Sequence, residues 1–175
     1  PKRCGHLSGK ELVSCDEMAA KVRAAAAARR DADFVIIART DARGVNGFED
    51  AVARAQAYRA AGADVIFPEA MESADEFRRF RKAVDGPLVA NMTEFGKSPL
   101  VPFDELAAIG YSLVLFPVTL LRLAMKAVEE GLAEIKATGS QRNLLGRMQT
   151  RQELYDILGY ADYEQRDKRY FGGSK

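Results

Sequence analysis

The stretch Phe34-Val35-Ile36-Ile37-Ala38-Arg39-Thr40-Asp41 decides the fold. Five apolar residues run without a break and then stop at an arginine, a threonine and an aspartate. A continuous apolar run of that length reads as a strand buried on both faces, as in a parallel sheet. The polar residues at its C-terminal end are the second half of the signal. The same grammar repeats downstream. Val65-Ile66-Phe67 ends in Pro68-Glu69-Ala70, Pro87-Leu88-Val89-Ala90 ends in Asn91-Met92-Thr93-Glu94, and Leu113-Val114-Leu115-Phe116 ends in Pro117-Val118-Thr119.

Helical segments separate these strands. Ser14-Cys15-Asp16-Glu17 reads as a capping box, followed by a helix over Met18 to Arg30. A second helix spans Phe48 to Ala61 and stops at Gly62. Ser73-Ala74-Asp75-Glu76 caps a third, which runs to Val84. A fourth covers Phe103 to Ile109, and a long fifth covers Leu120 to Ala137. Thr150-Arg151-Gln152-Glu153 caps another that ends at Leu158, and a last helical piece covers Tyr163 to Arg169.

Four strand–helix units in a row specify a parallel sheet with helical crossovers. An open doubly wound sheet binds ligands mainly at one switch point. A (β/α)₈ barrel places its chemistry at the C-terminal ends of all its strands. Polar endings at Arg39, Glu69, Asn91 and Thr119 favour the barrel. A full barrel takes about 250 residues, and this chain has 175 with four strands. The expectation is therefore an α/β fold. Residues 1–175 form a single domain, the C-terminal half of a (β/α)₈ TIM-type barrel plus C-terminal helices, with the first strands absent.

Composition excludes several function classes. The 26 basic and 25 acidic residues leave a formal charge of +1, and no long basic block stands out, so nucleic acid is not an expected partner. No run approaches the ~18 apolar residues that a membrane span needs. No export signal is recognisable at the start. There is no Gly/Ser or Pro-rich linker and no internal repeat. The two cysteines, Cys4 and Cys15, read as reduced thiols, and the expected location is the cytoplasm. Cys15, beside a helix cap, reads as inert.

The opening segment Pro1-Lys2-Arg3-Cys4-Gly5-His6 places a thiol among two cations and the chain's one histidine. A cysteine pKa of about 8.5 falls beside cations and backbone N–H groups. Gly5 lets the backbone bend towards a ligand. The segment fits an activated thiol in a site, and it equally fits a basic arm with an idle thiol. Arg39 at a strand tip suits bidentate carboxylate binding, or an ion pair with Asp41 or Glu69. Glu69 suits orientation of His6 or a substrate hydroxyl, or that same ion pair. Asn91 and Thr93 offer an amide and a hydroxyl to a carboxylate, or end a strand as a turn or cap. Leu115 and Pro117 suit a pocket wall, or simply core.

Taken together, Lys2-Arg3-Cys4-Gly5-His6, Ala38-Arg39-Thr40-Asp41, Phe67-Pro68-Glu69-Ala70, Asn91-Met92-Thr93-Glu94-Phe95-Gly96 and Met148-Gln149-Thr150-Arg151 resemble the isocitrate lyase/phosphoenolpyruvate mutase superfamily. The cysteine in the first of these resembles the carbon–carbon lyase branch, and the last block resembles the 2-methylisocitrate and 2,3-dimethylmalate lyases. The resemblance implies retro-Claisen cleavage of a 2-hydroxy di- or tricarboxylate, such as 2-methylisocitrate to pyruvate and succinate. It implies Cys4 as general acid on a closing loop, with Lys2, His6, Arg39 and Glu69 as catalytic partners. Gly5, Asn91, Thr93, Leu115 and Pro117 would contact substrate. It also implies Mg²⁺, with ligands in a preceding half that has no counterpart in this chain. A homotetramer with the helix after the last strand exchanged between subunits is implied as well. Two other readings stand beside it: a non-catalytic fragment that needs an N-terminal partner half, and a redox-responsive thiol protein built on Cys4.

Overall fold

The computed structural model describes residues 9–172. The chain divides into two compact units, Pro1–Arg122 and Leu123–Lys175. In the first, helix α1 (Cys15–Ala28) leads into strand β1 (Ile37–Thr40), α2 (Phe48–Ala60), β2 (Val65–Pro68), α3 (Ala74–Ala83), β3 (Val89–Asn91), α4 (Phe103–Ile109) and β4 (Leu113–Leu115). Helix α5 (Thr119–Thr138) follows, then α6 (Arg151–Leu158) and α7 (Tyr160–Phe171).

All strand pairings are parallel. β1 pairs with β2, from Ile37 opposite Val65 to Thr40 opposite Pro68. β3 pairs with β4, from Val89 opposite Leu113 to Asn91 opposite Leu115. One bridge, Ile66 to Leu88, joins the two pairs. Spatial order thus follows chain order, without the reversal that makes a switch point in an open sheet. The fold class is α/β, four units of a (β/α)₈-type barrel followed by helices.

The caps explain where the helices start. The hydroxyls of Ser14 and Ser73 accept from the backbone N–H of Glu17 and Glu76. Thr150 and Glu153 make the full reciprocal box at α6. Gly110 ends α4 in the left-handed region at φ 103°. Core packing joins the sheet to α2, α3 and α4. Phe77, Phe80, Leu88 and Leu106 are buried, Phe48 meets Phe80 edge to face, and Phe77 meets Tyr111 likewise. The Tyr111 hydroxyl donates to the Phe77 carbonyl at 3.3 Å, and burial pushes its pKa up.

The opening stretch differs from its reading as a strand buried on both faces. The strand starts three residues later, and Phe34, Val35 and Ile37 are exposed. Among the described residues β1 has a strand neighbour on one side only, so an outward apolar side chain there has no cover. The Asp64 carboxylate caps the Ile36 N–H at 2.8 Å and pairs with Arg29, which fixes where the ladder begins. Two 3₁₀ turns, Ala42–Gly44 and Arg142–Arg147, lie outside the sequence expectation. In the second unit, Arg147 pairs with Glu130, and the Asn143 amide donates to Glu134 at 2.7 Å.

Phe80 is fully buried at the centre of the helix–sheet contact. Phe80→Ala is expected to cost about 3–5 kcal/mol, read as a lowered denaturant midpoint at constant slope. Thr150→Ala, which removes an exposed cap, is expected to cost about 1 kcal/mol in the same assay.

Candidate active site

The C-terminal ends of β1, β2 and β3 bring three of the expected residues together. Arg39 lies one residue before the end of β1, Glu69 directly follows β2, and Asn91 ends β3. The guanidinium of Arg39 donates through Nε to Asp41 Oδ2 and through Nη2 to Asp41 Oδ1, each at 2.9 Å. Nη2 also reaches Glu69 Oε2 at 2.8 Å. Glu69 is 1% exposed. The Asn91 amide nitrogen stands 3.4 Å from both Glu69 oxygens, at the long end of the hydrogen-bond range. The Asn91 side-chain amide oxygen is buried with no hydrogen-bond partner among the described residues, an acceptor that a donor could fill.

The ion pairs set against the site readings are therefore present, at the strand tips that make up the candidate site. An arginine held between two carboxylates is a preorganised charge, the kind that electrostatic catalysis uses. Burial works against the Asp41 carboxylate, but Arg39 and Lys10 outweigh it and hold its pKa below the usual range.

Local backbone supports this cluster. Ala70, directly after Glu69, has φ 62°, which a residue with a Cβ seldom adopts. Its N–H turns back onto Glu69 Oε1 at 3.1 Å, so the carboxylate that the site needs also stabilises the turn. Arg43, in the 3₁₀ turn after β1, donates to Glu76 through Nε and Nη2 and to Glu72 through Nη2, tying the loop after β1 to the loop after β2. The hydrogen bond to Glu76 raises the Arg43 pKa; burial pushes Glu76 up, but Arg43 and the Glu72 N–H bring it down.

Thr93 is nearly buried two residues beyond Asn91. Among the described residues, Leu115 and Pro117 are exposed at the end of β4. Lys2, Cys4, Gly5 and His6 lie outside the described residues.

Sequence reasoning passed over a second cluster at the β3 and β4 ends. The Thr119 hydroxyl donates to Glu94, and Arg122 donates to the Glu94 carbonyl at 2.8 Å and to its carboxylate at 2.7 Å. Arg122 also lies over the ring of Phe95, which is 94% exposed and has φ 60°. The Thr119 hydroxyl and Arg122 lower the Glu94 pKa. The available signal was the placement of Glu94 three residues after β3 and of Thr119 four residues after β4.

Among the described residues no three His, Cys, Asp or Glu side chains converge to hold a metal. The carboxylates at the strand tips face cations instead: Asp41 and Glu69 face Arg39, Asp41 also faces Lys10, and Glu94 faces Arg122. These residues do not fit a Mg²⁺ site.

Residues 3–136 match the family model described as phosphoenolpyruvate phosphomutase. The chain is 56% identical over 167 residues to a 2-methylisocitrate lyase of Aeropyrum pernix, covering 95% of this chain and 54% of that protein. It is 49% identical over 168 residues to the 2-methylisocitrate lyase of Bacillus subtilis, covering 96% and 55%. The chain thus spans about half the length of the curated relatives it matches. A crystal structure of 2,3-dimethylmalate lyase, described as a PEP mutase/isocitrate lyase superfamily member, superposes with a TM-score of 0.86 at 36% identity, over 99% of this chain and 60% of that one.

Two outcomes follow from the charge arrangement. Arg39→Ala leaves Glu69 buried without this cation and is expected to cost about 3–5 kcal/mol of stability, measured by denaturant unfolding. The folded-state pKa of Asp41 lies below its unfolded value of about 3.9, so its contribution is complete above that value. It is lost as pH falls through the lower folded pKa. Stability measured from pH 7 down to pH 3 should therefore fall less steeply in Asp41→Asn than in the parent chain.

Proposed function

This chain belongs to the phosphoenolpyruvate phosphomutase family, and from that premise we propose that it supplies one side of the active site of a carbon–carbon lyase acting on 2-methylisocitrate. The convergence of Arg39, Glu69 and Asn91 at three adjacent strand tips carries the reading. The names of its relatives support the choice of substrate. The 175 residues then form the second half of one barrel domain, and its first half comes from chain beyond them.

The reaction splits the carbon–carbon bond next to a tertiary alcohol. The hydroxyl proton passes to a base, with Lys2 as this chain's candidate, and the alkoxide collapses to the ketone of pyruvate. The electron pair of the broken bond goes to the succinyl fragment as a carboxylate-stabilised carbanion. The Cys4 thiol donates its proton to that carbon, giving succinate and a thiolate. Proton return from the base to the thiolate closes the cycle, so atoms and charge balance without water or an oxidant.

Arg39 supplies a fixed positive charge to the oxygens on which charge grows. Such preorganised charge in a dry site is usually the largest catalytic contribution. Glu69 pairs with His6 to support the loop, Gly5 lets that loop approach the substrate, and Asn91 with Thr93 grips the succinyl carboxylate. Leu115 and Pro117 wall the pocket. Loop closure keeps water from quenching the carbanion. Mg²⁺, which the family resemblance implies, would be held by residues outside those described.

The assembly is proposed as a cytoplasmic homotetramer that exchanges α5. Leu120, Leu121, Leu123, Met125 and Leu132 on that helix are exposed, which supports a partner. No helix among the described residues is long and apolar enough to cross a membrane.

In the complete enzyme, Cys4→Ser is expected to reduce kcat for pyruvate release by more than a hundredfold while succinate still binds. A kcat within about threefold of the parent would remove Cys4 as the acid. A panel of 2-hydroxy di- and tricarboxylates should give the highest kcat/KM with 2-methylisocitrate; preference for 2,3-dimethylmalate would move the substrate and leave the chemistry in place.

A further inference from the structure

Asp41 has no part in the chemistry above, yet its carboxylate takes more charged donors than any role as a turn residue requires. Oδ1 accepts from Lys10 Nζ at 2.7 Å and from Arg39 Nη2 at 2.9 Å, and Oδ2 accepts from Arg39 Nε at 2.9 Å. Lys10 comes from the segment ahead of α1, 31 residues away in sequence, and its side chain is only 8% exposed. Lysine is almost never buried unless paired.

The two contacts do different things. A bidentate carboxylate fixes the plane of a guanidinium as well as its distance. Arg39 also meets Glu69 and lies over the Phe67 ring. Clamped by Asp41 along its Nε–Nη2 edge, it keeps one orientation. Lys10 lies in the segment ahead of α1, so its tie to Asp41 anchors that segment to the strand tip. The proposed reaction needs cation and acid in mutual register, and a 1 Å misplacement can cost about 10²-fold in rate.

We propose that Asp41 and Lys10 are a positioning pair: Asp41 orients Arg39 towards the substrate, and Lys10 fastens the segment ahead of α1 to the same strand tip. This rests on the proposed lyase function, with both residues acting through others.

The test compares Asp41→Asn, Lys10→Met, the double variant and Lys10→Arg in the complete enzyme. Asp41→Asn and Lys10→Met should each lower kcat at least tenfold with KM changed less than threefold. The double variant should be no worse than the poorer single, because both remove one linked device. Lys10→Arg should keep at least a third of the parent rate. Losses that multiply in the double variant, or a kcat within threefold in either single, would overturn the pairing. Amide hydrogen exchange over residues 9–14, measured without substrate, gives a second readout. It should accelerate at least tenfold in Asp41→Asn and in Lys10→Met while the α3 amides hold. Unchanged exchange overturns the tether whatever the activity. If the parent enzyme cleaves no 2-hydroxy acid, the proposed function fails, and exchange alone then decides whether Lys10 is fastened to Asp41. Should Asp41→Asn not fold, Lys10→Met carries both measurements.

Discussion

The site depends on one guanidinium held between two carboxylates. Three of the five N–H donors of Arg39 go to Asp41 and Glu69. Glu69 is almost completely buried, and a buried carboxylate is costly unless it is paired. The β1–β2 register delivers this contact. Thr40 stands opposite Pro68, and the Glu69 N–H donates to the Thr40 carbonyl at 2.9 Å, so Glu69 emerges beside the end of β1. A slip of one residue would turn Arg39 to the opposite face of the sheet. The core contacts that fix the register, such as Ala38 and Ile66 among buried neighbours, therefore also fix the Arg39–Glu69 contact.

Within that cluster the charges balance: Lys10 and Arg39 against Asp41 and Glu69. Balance lets the group be buried without a net charge. It also means that a substrate carboxylate arriving there adds charge the cluster does not already neutralise. Beside the cluster, the side-chain amide oxygen of Asn91 is buried and has no donor among the described residues. A neutral, rigid cluster reorganises little as charge moves, which is what preorganised electrostatics requires.

Much of this architecture was legible in the sequence, for identifiable reasons. Parallel strands read as apolar runs, and the hydroxyls of Ser14, Ser73 and Thr150 sit where capping demands them. The polar strand endings marked the face of the sheet that gathers Arg39, Glu69 and Asn91. The edge of β1 was misread because an apolar run looks the same whether neighbours cover it or not. Left-handed Ala70 and Phe95 carried no signal, since that conformation announces itself only at glycine, and less strongly at asparagine or aspartate. The Lys10–Asp41 contact joins residues far apart in sequence, and no spacing rule reaches that distance. For Arg39 the sequence posed ion pair and active site as alternatives; the structure shows the ion pairs, to Asp41 and Glu69, at the strand tip.

The exposed apolar residues give the last constraint. Phe34, Val35 and Ile37 lie along the outer edge of the β1 side, and Leu113, Leu115 and Phe116 lie along the β4 side. Parallel strands are normally covered on both faces and continued at their edges. Each of these side chains favours burial by roughly 1.5–3 kcal/mol, and the described residues do not provide it. Two further strand pairings, one at each edge, would bury these residues and close the ring around Arg39 and Glu69. The same closure would exclude water from the strand tips. The requirement that stabilises the sheet and the one that keeps water from the strand tips are then met by one structural event.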